Sequence, residues 1–419
     1  MTEVLKHFWL LSLSFKSSLH IGKGSSDTFM GAAQIVKNGA GNYVIPGTSI
    51  AGVFISTLMN CVVPDDPENK LWKELTGANK QGNEDPEASH LVFRSVEIQP
   101  ETLEIKDRVS INRKTKTAKE GAKFSAWEVL PEDLQVLIEF DNMTKQSSLD
   151  KDDCELIQSW VNAVLFSWRK EGFFLGGNTG TGNGHVQLKQ VQQCSLDSTN
   201  LPVYLDASYH DLPQADMGWS KYEPPTPSIG CRDAFTRKYR LKLSVGYQNP
   251  LLIKGGISYL SHKNPETDAS FIHRKGIPYI PGSSIRGAIS SFMDKYSQTA
   301  WKSLLGQPKD NKDAPEEGGS IIFSDLTLQD ADANAWCLKQ IERHAEDQFS
   351  RAIFGSGKFD EERLFNAEFK GEIIVLRDMP ITVEELDKLF DFLNSGFQHD
   401  MISLGTGACY PKITLEEIK

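Results

Sequence analysis

Two short stretches carry the residue types best suited to gripping phosphate: "YVIPGTSIAGVF" at 43–54 and "IPYIPGSSIRGAI" at 277–289. In each, a β-branched and aromatic strand is stopped by Pro-Gly, which cannot extend a ladder. Hydroxyl residues suited to capping follow, Thr48 and Ser49 in one copy, Ser283 and Ser284 in the other. Apolar residues at helical spacing come next (Ile50, Val53, Phe54, Leu58; Ile285, Ile289, Phe292, Met293). Such a corner aims free N–H groups and the positive end of a helix dipole at whatever lies over the turn, an environment oxyanions favour. A capped helix without a ligand is the plainer reading of either copy alone. Arg286 adds a cation one turn into the second helix; its counterpart is Ala51, so the two grips are unequal.

Other residues point the same way. Two glycine loops, "LGGNTGTGNG" and "LGTGACYP", let backbone amides approach phosphate closely, with Gly180, Gly182, Gly405 and Gly407 at their centres. The densest basic stretch is "KDRVSINRKTKTAKEGAKF", with Lys106, Arg108, Arg113, Lys114, Lys116, Lys119 and Lys123 against Asp107 and Glu120. By itself it reads either as a solvated hairpin or as a nucleic-acid contact. The chain as a whole is acidic, with a formal net charge of −11, which argues against a generic nucleic-acid coat but allows a local basic groove.

The six cysteines (Cys61, Cys154, Cys194, Cys231, Cys337, Cys409) have no CxxC spacing, which argues against structural zinc and a disulfide framework and for a reducing cytoplasm. No apolar run approaches the roughly 20 residues of a membrane span. "MTEVLKHFWLLSLSFK" alternates like a strand and is not a convincing signal peptide.

The elements that position these residues occur twice. Pro46 and Pro281 lie 281 − 46 = 235 positions apart, and the two loop leucines, Leu175 and Leu404, 404 − 175 = 229 apart. "HFWLLSLSFKSSLHIGKG" answers to "KYRLKLSVGYQNPLLIKGG", "SHLVFRSVEI" to "SIIFSDLTL", and "VLIEF" to "GEIIVLRD". Residues 149–171 predict a helix with acids at its front and Arg169-Lys170 at its end; its echo, "ITVEELDKLFDFLNSG", has Thr382 and Glu385 at capping-box spacing. Offsets that wander only between about 229 and 235 over so many segments, as loop insertions allow, signal duplication. The expected fold is α+β: two tandem ferredoxin-like domains, 1–192 and 238–419, with inserted hairpins, joined by a Pro/Asp-rich connector at 193–237.

The ordered set "LHIGKG…YVIPGTSIAG…LTG…SHLVF…LGGNTGTGNGHVQL", repeated as "LLIKGG…DASFIHRKGIPYIPGSSIRG…LLG…SIIFSD…LGTG", resembles the RAMP superfamily of CRISPR proteins. It is most similar to backbone subunits of type III effector complexes, in the tandem double-domain form found in type III-D variants. The resemblance implies that each domain holds guide crRNA along its palm, that a hairpin thumb kinks the guide–target duplex, and that a loop aspartate promotes cleavage of target RNA with Mg2+ or Mn2+. It assigns the thumb to the basic stretch, and RNA contacts to Lys23, Thr48, Ser49, Arg108, Arg113, Lys114, Lys116, Gly180, Gly182, His273, Ser283, Ser284, Arg286, Gly405 and Gly407.

Asp268 fits the family's position for the cutting and metal-holding aspartate, just before the strand entering the second corner. In the first half that position falls near Ala32, and Asp27 lies upstream as a second candidate. His20 and His273 are the nearby histidines, and metal-assisted cleavage requires neither. Implied partners are the guide, complementary target RNA, and other effector subunits, both RAMP chains and the large subunit, in a prokaryotic cytoplasm. Two alternatives stand beside this reading: an inert RNA-binding scaffold of the same complex, and a guide-processing endoribonuclease that relies on a histidine.

Overall fold

The computed structural model describes residues 4–418, apart from 27–31, 63–69, 77–88, 112–117, 143–148, 209–210, 228–234, 256–268, 275, 297–299, 307–318, 330–335, 347–348, 351, 377–378 and 407–408. In the first half, β1 (Lys6–Phe15) leads through α1 (Gly47–Cys61) to β2 (Leu91–Phe93). A long hairpin follows, β3 (Pro100–Ile111) and β4 (Ala118–Pro131), then β5 (Leu134–Asp141), α2 (Lys151–Glu171), β6 (Phe173–Phe174) and β7 (His185–Leu196). The sheet order is β6-β7-β1-β5-β2. Without the short β6 this is the 4-1-3-2 order of a ferredoxin-like domain, as expected.

β1 shows why the sheet is covered on both faces. Trp9, Leu11 and Leu13 face the helices, where Phe54 and Leu58 of α1 and Trp160, Val164 and Trp168 of α2 complete the core. Phe8 and Leu10 point the other way, and the connector covers them with Leu212, Met217, Tyr204 and Trp219. The connector is therefore packed structure as well as a tether. It forms α3 (Leu201–Asp206) and β8 (Ser220–Tyr222), which pairs with β7 from Val191 to Gln193. The spacing of its apolar residues has no sustained period, because they are set by the sheet beneath and not by one element of their own.

The second half repeats the plan: β9 (Phe235–Val245), α4 (Gly282–Lys295), β10 (Ile321–Phe323), β11 (Leu326–Leu328), the hairpin β12 (Cys337–Glu346) and β13 (Ile353–Phe365), β14 (Ala367–Leu376), α5 (Val383–Gln398) and β15 (Lys412–Ile418). β15 pairs with β9, β9 with β14, and β14 with both β10 and β11. The helix boundaries follow the sequence signals. Asp150 caps α2 by accepting from Asp153 N at 2.8 Å, and Thr382 with Glu385 closes a capping box on α5.

Matching bridges fix the correspondence of the halves. Leu19 pairs with Val129 as Leu251 does with Leu364, and Ala33 runs parallel to Ala126 as Ala269 does to Glu361. Ala32 thus corresponds to the position of Asp268.

Candidate nucleic-acid interface at the domain junction

The two Pro-Gly corners form as expected, but their hydroxyl residues do not cap. The N-cap positions are Pro46 and Pro281, and neither helix has a side-chain cap of its own. The cap comes from the link that follows a remote strand. Gly47 N donates to Ser95 Oγ at 3.1 Å, and Gly282 N donates to Asp325 Oδ1 at 3.0 Å. The helices start at glycine because a Cβ at either position would lie 2.0 Å from a carbonyl oxygen, Phe93 O or Phe323 O. Proline before that glycine leaves no room for a Ser or Thr N-cap. The motif Phe-x-Ser/Asp was present in both halves as "FRS" and "FSD", and its capping role is invisible until the strand is folded beside the corner.

The two corners differ in what covers them. At the first, Thr48, Arg94 and Ser95 are exposed. At the second, the glycine loop of the first domain lies on top. A Cβ on Gly182 would sit 2.4 Å from Phe323 O, and one on Gly282 would sit 2.8 Å from Thr181 O. Ser283, Ser284 and Arg286 are half-buried there; Arg286 donates to Leu305 O, and its guanidinium lies beside Gly180. The fold thus brings Gly180, Gly182, Ser283, Ser284 and Arg286 to one seam. It leaves Thr48, Ser49 and Lys23 in the other half, and Gly405 on the second domain's own loop.

The second corner is also electrically occupied. The helix N-terminus that would attract an anion already holds the Asp325 carboxylate, and Arg274 binds that carboxylate's other oxygen at 3.1 Å. The two corners are unequal, as expected, but the sequence pointed to Arg286 strengthening the second, whereas the carboxylate at 325 takes the place that the neutral Ser95 leaves open.

Beneath the loop lies a buried cluster built from two cations of the basic stretch, neither solvated nor open to nucleic acid. Lys106 Nζ pairs with Glu128 at 2.7 Å, Arg108 pairs with the same carboxylate, and Asn183 of the glycine loop donates to it at 2.7 Å. From the second domain, Tyr279 brings its ring within 5.4 Å of Lys106 Nζ and 4.6 Å of the Arg274 guanidinium. Burial would push the Glu128 carboxyl up, but Lys106, Arg108 and Asn183 outweigh it and hold the group below the usual carboxylate range. Burial would push Lys106 down, but Tyr279, Asp325 and Glu128 hold its ammonium above its ordinary range. Lys106 and Arg108 are therefore rooted at the hairpin base as structural cations, not free thumb cations. Arg113, Lys114 and Lys116 lie outside the described residues, as do the side chains of Lys119 and Lys123.

Glu128 has an inverted counterpart. Arg363 occupies its place in the second domain, where it pairs with Glu361 at 2.7 Å and donates to Pro250 O and Thr406 O. Each half thus steadies its glycine loop with one buried charge, of opposite sign.

Asp27, Asp268 and Gly407 lie outside the described residues. Ala269, next to Asp268, is pinned to the base of the second hairpin: its N donates to Asp360 O at 3.2 Å, and its O accepts from Glu362 N at 2.8 Å. Asp360, Glu361 and Glu362 therefore flank it. At the matching place in the first half, Ala33 meets Ser125, Ala126 and Trp127, with no carboxylate. Among the described residues no group of three or more His, Cys, Asp or Glu side chains is arranged to hold a metal. His20 Nδ1 donates to Trp127 O at 2.7 Å, and His273 Nδ1 donates to Phe271 O at 3.1 Å; both are engaged by backbone.

A family model described as the RAMP superfamily matches residues 12–187 and 248–394, covering both halves and leaving out the connector. No curated protein matches the chain. Among the described residues no helix is long and apolar enough to cross a membrane.

Proposed function

The chain belongs to the RAMP superfamily, which points to a CRISPR-associated RNA-binding subunit, and from that premise we propose a finer role: a guide-crRNA-binding backbone subunit of a type III effector complex, of the double-domain kind found in type III-D, that also cuts complementary target RNA. The observation that carries this reading is the family match on both halves, with the glycine loop of one domain seated on the corner of the next. That seam gathers Gly180, Gly182, Ser283, Ser284 and Arg286. Glycine amides, hydroxyls and a guanidinium suit sugar–phosphate recognition without reading sequence. The first corner, with Thr48 and Ser95 exposed, offers the second contact.

Cleavage is assigned to Asp268, which would hold Mg2+ or Mn2+. Asp360, Glu361 and Glu362 flank Ala269, where the matching residues beside Ala33 are Ser125, Ala126 and Trp127, and this difference supports Asp268 ahead of Asp27. When bound, the metal would supply charge stabilisation at the scissile phosphate. The chain's own residues bind and orient the backbone so that the 2′-hydroxyl of a splayed nucleotide lies in line.

The test is cleavage of complementary RNA by the guide-loaded complex, with and without EDTA, for Asp268→Ala and Asp27→Ala. The reading expects one product band to vanish with Asp268→Ala while target binding holds. Unchanged bands for both variants would leave an RNA-binding scaffold, and EDTA-resistant cutting of precursor guide by the chain alone would indicate a processing enzyme.

A further inference from the structure

At the joint between the domains, a lysine of the second reaches back onto the first. Lys238 Nζ donates to Glu171 O, at the end of α2, at 3.4 Å, and its charge opposes protonation of His185. Around this contact Phe174 packs against Ile322, Ile374 and Leu376. The receiving edge of the first domain is thus α2's last residue, β6 and the start of β7.

The second domain has its own copy of that edge. Leu404 N donates to Cys409 O at 2.8 Å, as Leu175 N does to Gly184 O at 2.8 Å. In that register Asp400 stands where Glu171 does, and Tyr410 where His185 does. Among the described residues nothing from the first domain covers this edge, and it borders a cleft of about 740 Å3 whose walls include Tyr247, Asn366, Glu368, Asp400, Tyr410 and Lys412. Tyr247 is 62% exposed and Tyr410 36%.

We infer that this cleft is the docking site for a lysine or arginine on the first strand of a ferredoxin-like domain in a different RAMP chain. The joint inside the chain is the template, and the tail is the better receptor for a cation. Where Lys238 meets a backbone carbonyl, the partner's cation meets the Asp400 and Glu368 carboxylates and two tyrosine rings. Among the described residues of the wall Lys412 is the one basic group, and it is outnumbered. The inference rests on the subunit reading above and names the partner of its free end.

A second copy of this chain does not fit. The residue that matches Lys238 in the first domain is Phe8, which is 1% exposed and packed under Tyr204 and Trp219 of the connector at 5.8 and 6.4 Å between ring centroids. The residues that match Ile374 and Leu376 are Glu139 and Asp141, both paired with Lys6, and Glu139 also with Arg94. The connector covers that face of the first domain, so a second copy cannot repeat the joint there.

The experiment places a photo-crosslinking residue in the cleft, as Tyr410→p-benzoylphenylalanine and separately Tyr247→p-benzoylphenylalanine. Each variant is co-expressed with the guide and the other RAMP subunits of its complex. The expected product is an adduct to a different RAMP chain, mapping to a Lys- or Arg-bearing first strand. Adding Asp400→Lys and Glu368→Lys should lower the adduct at least tenfold, while Asp206→Lys on the exposed connector helix leaves it unchanged. Adducts to RNA, adducts to a second copy, or no adduct in a complex that contains the chain would overturn the docking inference alone. A chain that never enters the complex would overturn the subunit reading and this inference with it.

Discussion

Asp325 does in the second domain what Ser95 does in the first: each accepts the N–H of the glycine that opens the helix, Gly282 at 3.0 Å and Gly47 at 3.1 Å. The exchange of hydroxyl for carboxylate decides how the two corners behave. Asp325 also anchors Arg274, so one side chain caps a helix and neutralises a cation inside the joint.

Replacing these two residues should have unequal costs. Ser95→Ala removes an exposed neutral cap and should cost about 0.5–1 kcal/mol. Asp325→Ala also leaves Arg274 half-buried without its carboxylate, and should cost about 3 kcal/mol. Chemical denaturation of both variants measures the difference, and equal losses would contradict the assignment.

Glu128→Ala should be among the most damaging single changes. It strands Lys106 and Arg108 at the hairpin base and leaves Asn183 of the glycine loop without its acceptor, with an expected loss of about 3–5 kcal/mol. Thermal unfolding reads the loss, and hydrogen exchange should rise across 177–184 and 277–282 together, since both sides of the joint depend on that carboxylate.

Gly182→Ala tests the seam sterically. At φ +83° a Cβ would meet Phe323 O at 2.4 Å and the Ser324 Cα at 2.7 Å, so the loop must lift from the second domain. Small-angle scattering should show a larger radius of gyration. Gly218→Ala, also at positive φ (+78°) but with nothing within 4 Å of its Cβ, is the control for backbone strain alone.

Acid should loosen the joint before it unfolds the domains. Burial first, then Lys238 and Lys16, pushes the His185 imidazole down to about 4. A histidine held neutral in the folded state contributes stability above its ordinary value near 6.5, and that stability is lost as pH falls from there to about 4. The loss should be about 3 kcal/mol over that window, and His185→Phe should flatten it. The depressed Glu128 carboxyl acts in a separate, lower window. Its contribution persists above the usual carboxylate range and disappears as pH falls through its own lowered value.

Much of the fold was legible because its signals are local. The capping box at Thr382 and Glu385, the acidic front and basic end of α2, and the doubled corner each lie within a few adjacent residues, and each formed where expected. The junction was illegible for the opposite reason. Asp325 caps a glycine 43 positions away, and Asn183 meets Glu128 from 55 positions away, so neither pairing leaves a mark in either segment alone. Lys106 opens a basic run that reads as a solvated hairpin or a nucleic-acid contact, yet its neighbours in space are Glu128 and Tyr279. The connector was recognised as a linker, and its role as the cover of Phe8 and Leu10 appeared only once the sheet existed beneath it.

The most direct test of the central claim is ultraviolet crosslinking of the RNA that copurifies with the assembled complex, followed by mass spectrometry of the adducts. A guide held by both halves predicts adducts on peptides spanning 176–182 and 283–286, and on the basic stretch 113–123, across guides of unrelated sequence. Absence of copurifying RNA, or adducts confined to the connector face around 201–222, would contradict it.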